Sequence, residues 1–278
     1  MGSLSSTRLA LVSLACLLGL VPGSWVRNQV SGVLLAQSER SAPASPPPAA
    51  QGSSAKSQAL SPEERADLFL VRKSYADAVE YYMRALKQSG SSNPVLWNKL
   101  GIAYQQQTNY RAARKAYHQA IRHREEYAEA WNNIGTTYFM ENKFKKSLKW
   151  YLRAMELGPN SAPFHLNLGT AYYRLKRYDE AMEELRAAFM LDPNLLTEHS
   201  TKGTTLQAPG ADAEYFFYLA KVFASLGRPE DAVRCLRRAL EDGLKDLKRL
   251  ERDQDFQKIS QYPAYLELLK KPPVPIHD

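Results

Sequence analysis

Trp97 recurs as Trp131 after 34 residues, and after 34 more the same register holds His165, inside the strings WNKLGIAY, WNNIGTTY and HLNLGTAY. A fixed period met three times limits a chain to architectures in which a short supersecondary unit stacks on copies of itself. A second match follows within each unit. Ala113, Tyr117 and Ala120 correspond to Ser147, Tyr151 and Ala154, and then to Ala181, Leu185 and Ala188; Pro159 and Pro193 close the last two units. The central units are therefore 94–127, 128–161 and 162–195.

Each unit reads as two short antiparallel helices. In the first, a large residue, an aliphatic, a glycine and a tyrosine stand at i, i+3, i+4 and i+7, one apolar stripe at helical spacing. Gly101, Gly135 and Gly169 put no side chain where two helices cross, and the alanines of the second helix act likewise. Proline cannot donate the helical hydrogen bond, so Pro159 and Pro193 mark where the second helix has ended.

This spacing closely resembles the tetratricopeptide repeat family. Two further units fit the register at the edges. Residues 59–92 keep Phe69, Ala78, Tyr82 and Ala85 but carry Pro62 and Arg65 in the large and aliphatic slots, as a degenerate cap would. Residues 213–246 keep Phe216, Leu219, Phe223, Ala232, Leu236 and Ala239, with Ala220 in place of the glycine. The resemblance implies an all-α, right-handed superhelical solenoid of five helix-turn-helix units, since single repeats cannot bury their faces alone. Residues 196–212 (LTEHSTKGTTLQAPGAD) are polar with Gly203, Pro209 and Gly210 and read as an insertion loop. Residues 247–278 hold Leu247, Leu250, Phe256, Ile259, Tyr265, Leu268 and Leu269 at helical intervals before a proline-rich tail. They resemble the helical cap that closes bacterial repeat arrays.

Ahead of the repeats, Arg8 is followed by the uncharged run Leu9 to Val26, broken by Pro22 and Gly23, with Arg27 next. Charge then apolar run is the order of an export signal. As a helix the run spans about 27 Å at 1.5 Å per residue, just short of a ~30 Å hydrocarbon core. Residues 1–36 therefore read as a cleaved signal peptide or an uncleaved anchor, and Ser13-Leu14-Ala15-Cys16 resembles a lipoprotein box with serine in the aliphatic slot. Residues 37–58 are Ser, Ala, Pro and Gln with almost no aliphatic content, the composition of a disordered linker. The expected location is outside the cytoplasm, periplasmic or membrane-tethered.

Catalytic motifs are missing: there is no P-loop, no Gly-x-Gly-x-x-Gly and no Gly-x-Ser-x-Gly elbow. The five histidines share no face and none pairs with a cysteine, so neither a metal nor another cofactor is expected. Function in a scaffold of this family lies on the concave surface lined by first helices. The resemblance places there Asn98, Ile102 and Gln105, then Asn132, Thr136 and Phe139, then Leu166, Thr170 and Tyr173, and finally Phe217 and Lys221. Asn133 and Asn167 share a slot from which asparagines of related arrays bind a peptide backbone. Amides mixed with apolar groups suit an extended or helical peptide. Family members that capture a C-terminal carboxylate use long basic side chains where this chain has Val95 and Pro163, which argues against that ligand.

The chain carries a net charge of +8 over 278 residues, and +6 of it falls in 94–161. The basic side chains gather on second helices and their turns: Arg111, Arg114 and Lys115, then Lys145, Lys146 and Lys149. Those helices form the convex face. A solvated surface explains them, and an anionic membrane or an acidic protein is the alternative partner. Nucleic acid is disfavoured for an exported chain. The expectation is a non-enzymatic envelope scaffold that binds a protein or peptide in its groove, with no small-molecule substrate.

Overall fold

The structure, a computed structural model, describes residues 60–195 and 212–275. The export-like run at 1–36, the linker at 37–58 and residues 196–211 of the insertion lie outside the described residues. Within them the chain is all-helical, with thirteen helices and no strand. Five antiparallel pairs follow one another: α1 (Pro62–Val71) with α2 (Tyr75–Gln88), α3 (Pro94–Gln106) with α4 (Tyr110–His123), α5 (Ala128–Met140) with α6 (Phe144–Leu157), α7 (Ala162–Arg174) with α8 (Tyr178–Leu191), and α9 (Ala213–Ser225) with α10 (Pro229–Glu241). Three short helices end the array: α11 (Lys248–Arg252), α12 (Gln254–Gln257) and α13 (Pro263–Lys270). Each second helix packs on the first helix of its own unit and on that of the next, the contact pattern of a solenoid.

The helix starts are set locally. Ser61 and Glu64 form a capping box, Ser61 Oγ accepting the Glu64 N–H at 3.2 Å while Glu64 Oε2 accepts the Ser61 N–H at 2.8 Å. Asn93, Asn109 and Asp212 cap α3, α4 and α9 with their side-chain oxygens. Proline opens α1, α3, α10 and α13, where its missing donor costs nothing.

The turn inside each unit is the same structure five times. Lys73, Thr108, Asn142, Lys176 and Gly227 all have positive φ, between 58° and 69°. The residue after each donates its N–H to a carbonyl five residues earlier: Asn109 to Tyr104 at 3.0 Å, Lys143 to Tyr138 at 2.9 Å, Arg177 to Tyr172 at 3.0 Å. This is the Schellman closure, and four of the five units make it without glycine.

Packing between helices is tightest at the repeat glycines. A Cβ on Gly135 would stand 2.6 Å from the Tyr151 ring, and one on Gly169 would stand 3.1 Å from the Ala181 carbonyl oxygen. Tyr82, Tyr117 and Tyr151 are fully buried on successive second helices, each among the small residues of its unit. At the C-terminal end α12 lies against α9 and α13 against α10, burying Phe256, Tyr265 and Leu268.

Candidate functional site

The first helices carry the candidate groove, and the structure separates its residues into two groups. Asn98, Asn132, Phe139, Leu166, Asn167, Thr170, Tyr173 and Phe217 are buried. This differs from the expectation of an open lining, and the neighbours that cover them are specific. Asn133 Nδ2 donates to Asn98 Oδ1 at 3.0 Å, and Asn167 Nδ2 donates to Asn132 Oδ1 at 3.0 Å. Asn132 and Asn133 adjoin on one helix, so a chain of amides links α3, α5 and α7. Buried amides need partners, and here they supply one another.

Towards the last unit the covering is aromatic and acidic. Thr170 Oγ1 lies 3.0 Å from the Tyr215 hydroxyl, and the Tyr173 hydroxyl donates to Asp212 Oδ1 at 2.6 Å. Tyr173 also packs edge-on against Tyr215 and Tyr218. Burial first, and then the Asp212 carboxylate, push the Tyr173 hydroxyl well above the ordinary tyrosine range, so it stays protonated as a donor. Phe217 meets Phe256 of α12 at 5.6 Å between ring centres and the Arg249 guanidinium at 4.2 Å. Lys221 Nζ lies 2.7 Å from Asp253 Oδ2. The chain's own C-terminal segment therefore covers the inner face of unit five.

Five of the candidates stay half-buried: Lys221, covered as just described, and Ile102, Gln105, Asn133 and Thr136. Gln105 Oε1 accepts the Tyr117 hydroxyl at 2.9 Å, and Thr136 Oγ1 accepts that of Tyr151 at 3.3 Å while donating to the Asn132 carbonyl. Val95, 37% exposed, shares the stripe of α3 with Asn98, Ile102 and Gln105. The inner face that remains open thus belongs to α3 and α5.

The basic residues also divide. Arg114 is half-buried between units: its guanidinium spans Glu141 at 3.0 and 3.2 Å, donates to Thr137 Oγ1 at 3.2 Å and lies over the Tyr138 ring. Burial raises the Glu141 pKa, but hydrogen bonds from Arg114 and Lys143 outweigh it and leave the carboxyl below its usual value. Arg114 is an inter-unit clamp and not part of a solvated patch. Arg111, Lys115, Lys145, Lys146 and Lys149 are exposed, and none of the five forms an ion pair among the described residues.

One recurring contact gave no signal in composition or charge. Trp97 Nε1 donates to the Ser91 carbonyl at 2.8 Å, Trp131 Nε1 donates to that of Glu125 at 2.8 Å, and His165 Nε2 lies 2.8 Å from that of Pro159. The large residue of each central unit fastens the preceding connection. What unites tryptophan and histidine is a ring N–H, which explains why histidine fits the third register.

Among the described residues no three His, Cys, Asp or Glu side chains converge on a metal site, and no helix is long and apolar enough to cross a membrane.

Two tetratricopeptide repeat family models match the chain, one over residues 98–162 and one over 162–195. No curated protein matches it. Among solved structures, MamA from Desulfovibrio magneticus RS-1 (41 to end) is 18% identical, covers 70% of this chain and 95% of its own, and has a TM-score of 0.46. TTC0263, a thermophilic TPR protein of Thermus thermophilus, is 20% identical, with 72% and 97% covered and a TM-score of 0.46. YrrB, described as a TPR protein with an unusual peptide-binding site, is 19% identical, with 76% and 91% covered and a TM-score of 0.43. These likenesses carry nothing about a partner. The repeat itself is in general a non-enzymatic scaffold for protein interaction. With two matched stretches running through 98–195 in an all-helical solenoid of paired helices, the chain is a protein of the tetratricopeptide repeat family.

Proposed function

We propose that the protein is a non-enzymatic scaffold that binds a peptide or protein segment along the inner face of α3 and α5, and that it works outside the cytoplasm. The observation that carries this reading is the surface left open once the amide chain has formed. Val95 and Ile102 offer apolar contact on one stripe, beside Gln105, Asn133 and Thr136. Asn133 uses one amide proton on Asn98 and keeps a second for a ligand. An extended or helical segment with apolar side chains and free backbone polar groups matches that lining. The location outside the cytoplasm, periplasmic or membrane-tethered, rests on the Arg8 and Leu9–Val26 pattern alone.

A second reading has its own observation. Lys145, Lys146 and Lys149 are exposed on α6 with no carboxylate partner among the described residues, a display that suits an anionic membrane surface.

A photo-crosslinking residue placed at Ile102 or at Lys149 in the full chain, in cells, tests both. Protein adducts at 102 and none at 149 support the groove. Adducts confined to 149, or none at 102, sink it. Flotation with anionic vesicles tests the second reading, since binding through exposed lysines collapses as salt rises; salt-independent flotation, or none, rejects it.

A further inference from the structure

Nineteen residues after the large residue of each central unit, one side chain of the second helix lies beside that large residue. In unit three the Trp150 ring lies tilted against that of Trp131, their centres 5.3 Å apart. In unit four Glu184 meets His165, its Oε2 2.6 Å from Nδ1. In unit two the position is Ala116, a buried residue whose methyl group sets no ring or carboxylate beside Trp97. Between α2 and α4 lies an open trough of about 810 Å³.

Its lining has a definite chemistry. Trp97 and Tyr104 form part of the floor, and Met83, 49% exposed, stands on the α2 side. Trp97 has already given its N–H to Ser91, so it offers a ring and not a donor. Lys87 stands on the α2 bank and Lys115 on the α4 bank; both are exposed, and among the described residues neither is ion-paired and no carboxylate lines the trough. The walls are helices fixed by the repeat packing, so the site is preformed.

We infer that this trough is a second binding site, distinct from the inner face, for a partner segment that seats an aromatic side chain beside Trp97 and sets carboxylates against Lys87 and Lys115. The occupant follows from two independent features. The register gives the shape, because Trp150 shows an indole in the corresponding place of unit three. The charge gives the flanks, because both banks are basic and uncompensated. The site is independent of the groove reading and of the lysines on α6.

The test is fluorescence anisotropy of the full chain with a labelled peptide carrying one tryptophan between two pairs of glutamates. Saturable binding that weakens with salt is expected, and a peptide with lysines for glutamates does not bind. Ala116→Trp supplies the absent ring from within and weakens binding by about tenfold or more. Ala116→Leu, a smaller filler, weakens it less and decides the matter if the tryptophan variant loses helix content. The double variant Lys87→Glu, Lys115→Glu reverses the preference towards the lysine peptide. Reversal of Lys145, Lys146 and Lys149 leaves binding within about twofold, less than half a kcal/mol. No saturation up to about 1 mM, equal affinity in a folded filler variant, or loss only when Lys145, Lys146 and Lys149 are reversed overturns the inference.

Discussion

Asn167 Nδ2 donates to Asn132 Oδ1 at 3.0 Å across the boundary between α7 and α5, with both residues buried. The bond lies on the first-helix stripe proposed above as the binding face, and it makes the asparagines part of the scaffold. An amide stripe in this register therefore holds neighbouring units together before it can hold a peptide. Asn132→Ala leaves a buried amide donor without this acceptor and is expected to cost about 1–3 kcal/mol in urea unfolding. In the Asn132→Ala, Asn167→Ala double variant the losses fall short of additive. Strict additivity would show that the two amides do not act together.

Gly135→Ala is expected to destabilise by about 1–3 kcal/mol, because the new methyl would stand 2.6 Å from the buried Tyr151 ring. Gly227→Ala in the last unit is strained for a different reason, its φ of 69°, and has open space around it. Pairing Gly135→Ala with Tyr151→Leu should recover part of the loss in the first case. Thermal melts that find Gly135→Ala neutral would contradict the packing.

Thr108 occupies the left-handed turn position with a φ of 59°. A β-branched residue there is strained by about 1–2 kcal/mol. Glycine removes that strain and loses roughly 0.5–1 kcal/mol to added freedom of the unfolded chain. Thr108→Gly is thus expected to stabilise slightly, by up to about 1 kcal/mol, with Thr108→Asn close behind. A loss of stability in either variant counts against this turn geometry.

The Glu141 clamp gives the protein an acid-sensitive joint. Its carboxyl titrates below the unfolded value, held there by Arg114 and Lys143. A group with a lowered pKa contributes stability that is fully present above the unfolded pKa, about 4.3 for glutamate, and lost as pH falls through the folded value. The difference in stability between native protein and Glu141→Gln should be constant near neutrality and shrink on acidification below about pH 4. A difference unchanged down to about pH 2.5, well under the ordinary glutamate range, would show that the clamp is not electrostatic.

Cys235 is the free cysteine among the described residues, and burial pushes its thiol up to about 12. The thiolate is the reacting form, so modification by a thiol reagent at about pH 8 should be at least about tenfold slower than for an unfolded control. The rate should rise sharply through the unfolding transition. Rapid labelling of the native protein would place Cys235 at the surface.

The repeat was legible because period, glycine and tyrosine are dictated by close helix crossings that recur identically in every unit. The turn was not, since Lys73, Thr108, Asn142 and Lys176 have no common side chain; only their backbone angle is shared. The same contrast holds for the fastening bond made by Trp97, Trp131 and His165, where a shared N–H hides behind two residue types.

For the candidate site, the family resemblance named the positions on each first helix, and which residues stand at those positions is a property of sequence alone. Accessibility is not, because it depends on what the neighbouring unit places on top. Phe217 and Lys221 have the same register as Asn98 and Ile102, yet Phe256 and Asp253, more than thirty residues further along, close over them. Ala116 reads as one more small residue until its neighbours show that no side chain lies over Trp97 as Trp150 lies over Trp131. Sequence by itself determined the period, the helix pairs and the location of the charge. Tertiary packing alone decided which polar groups are consumed by the scaffold and which remain for a partner, since hydrogen bonds and burial between units are settled by contacts far apart along the chain.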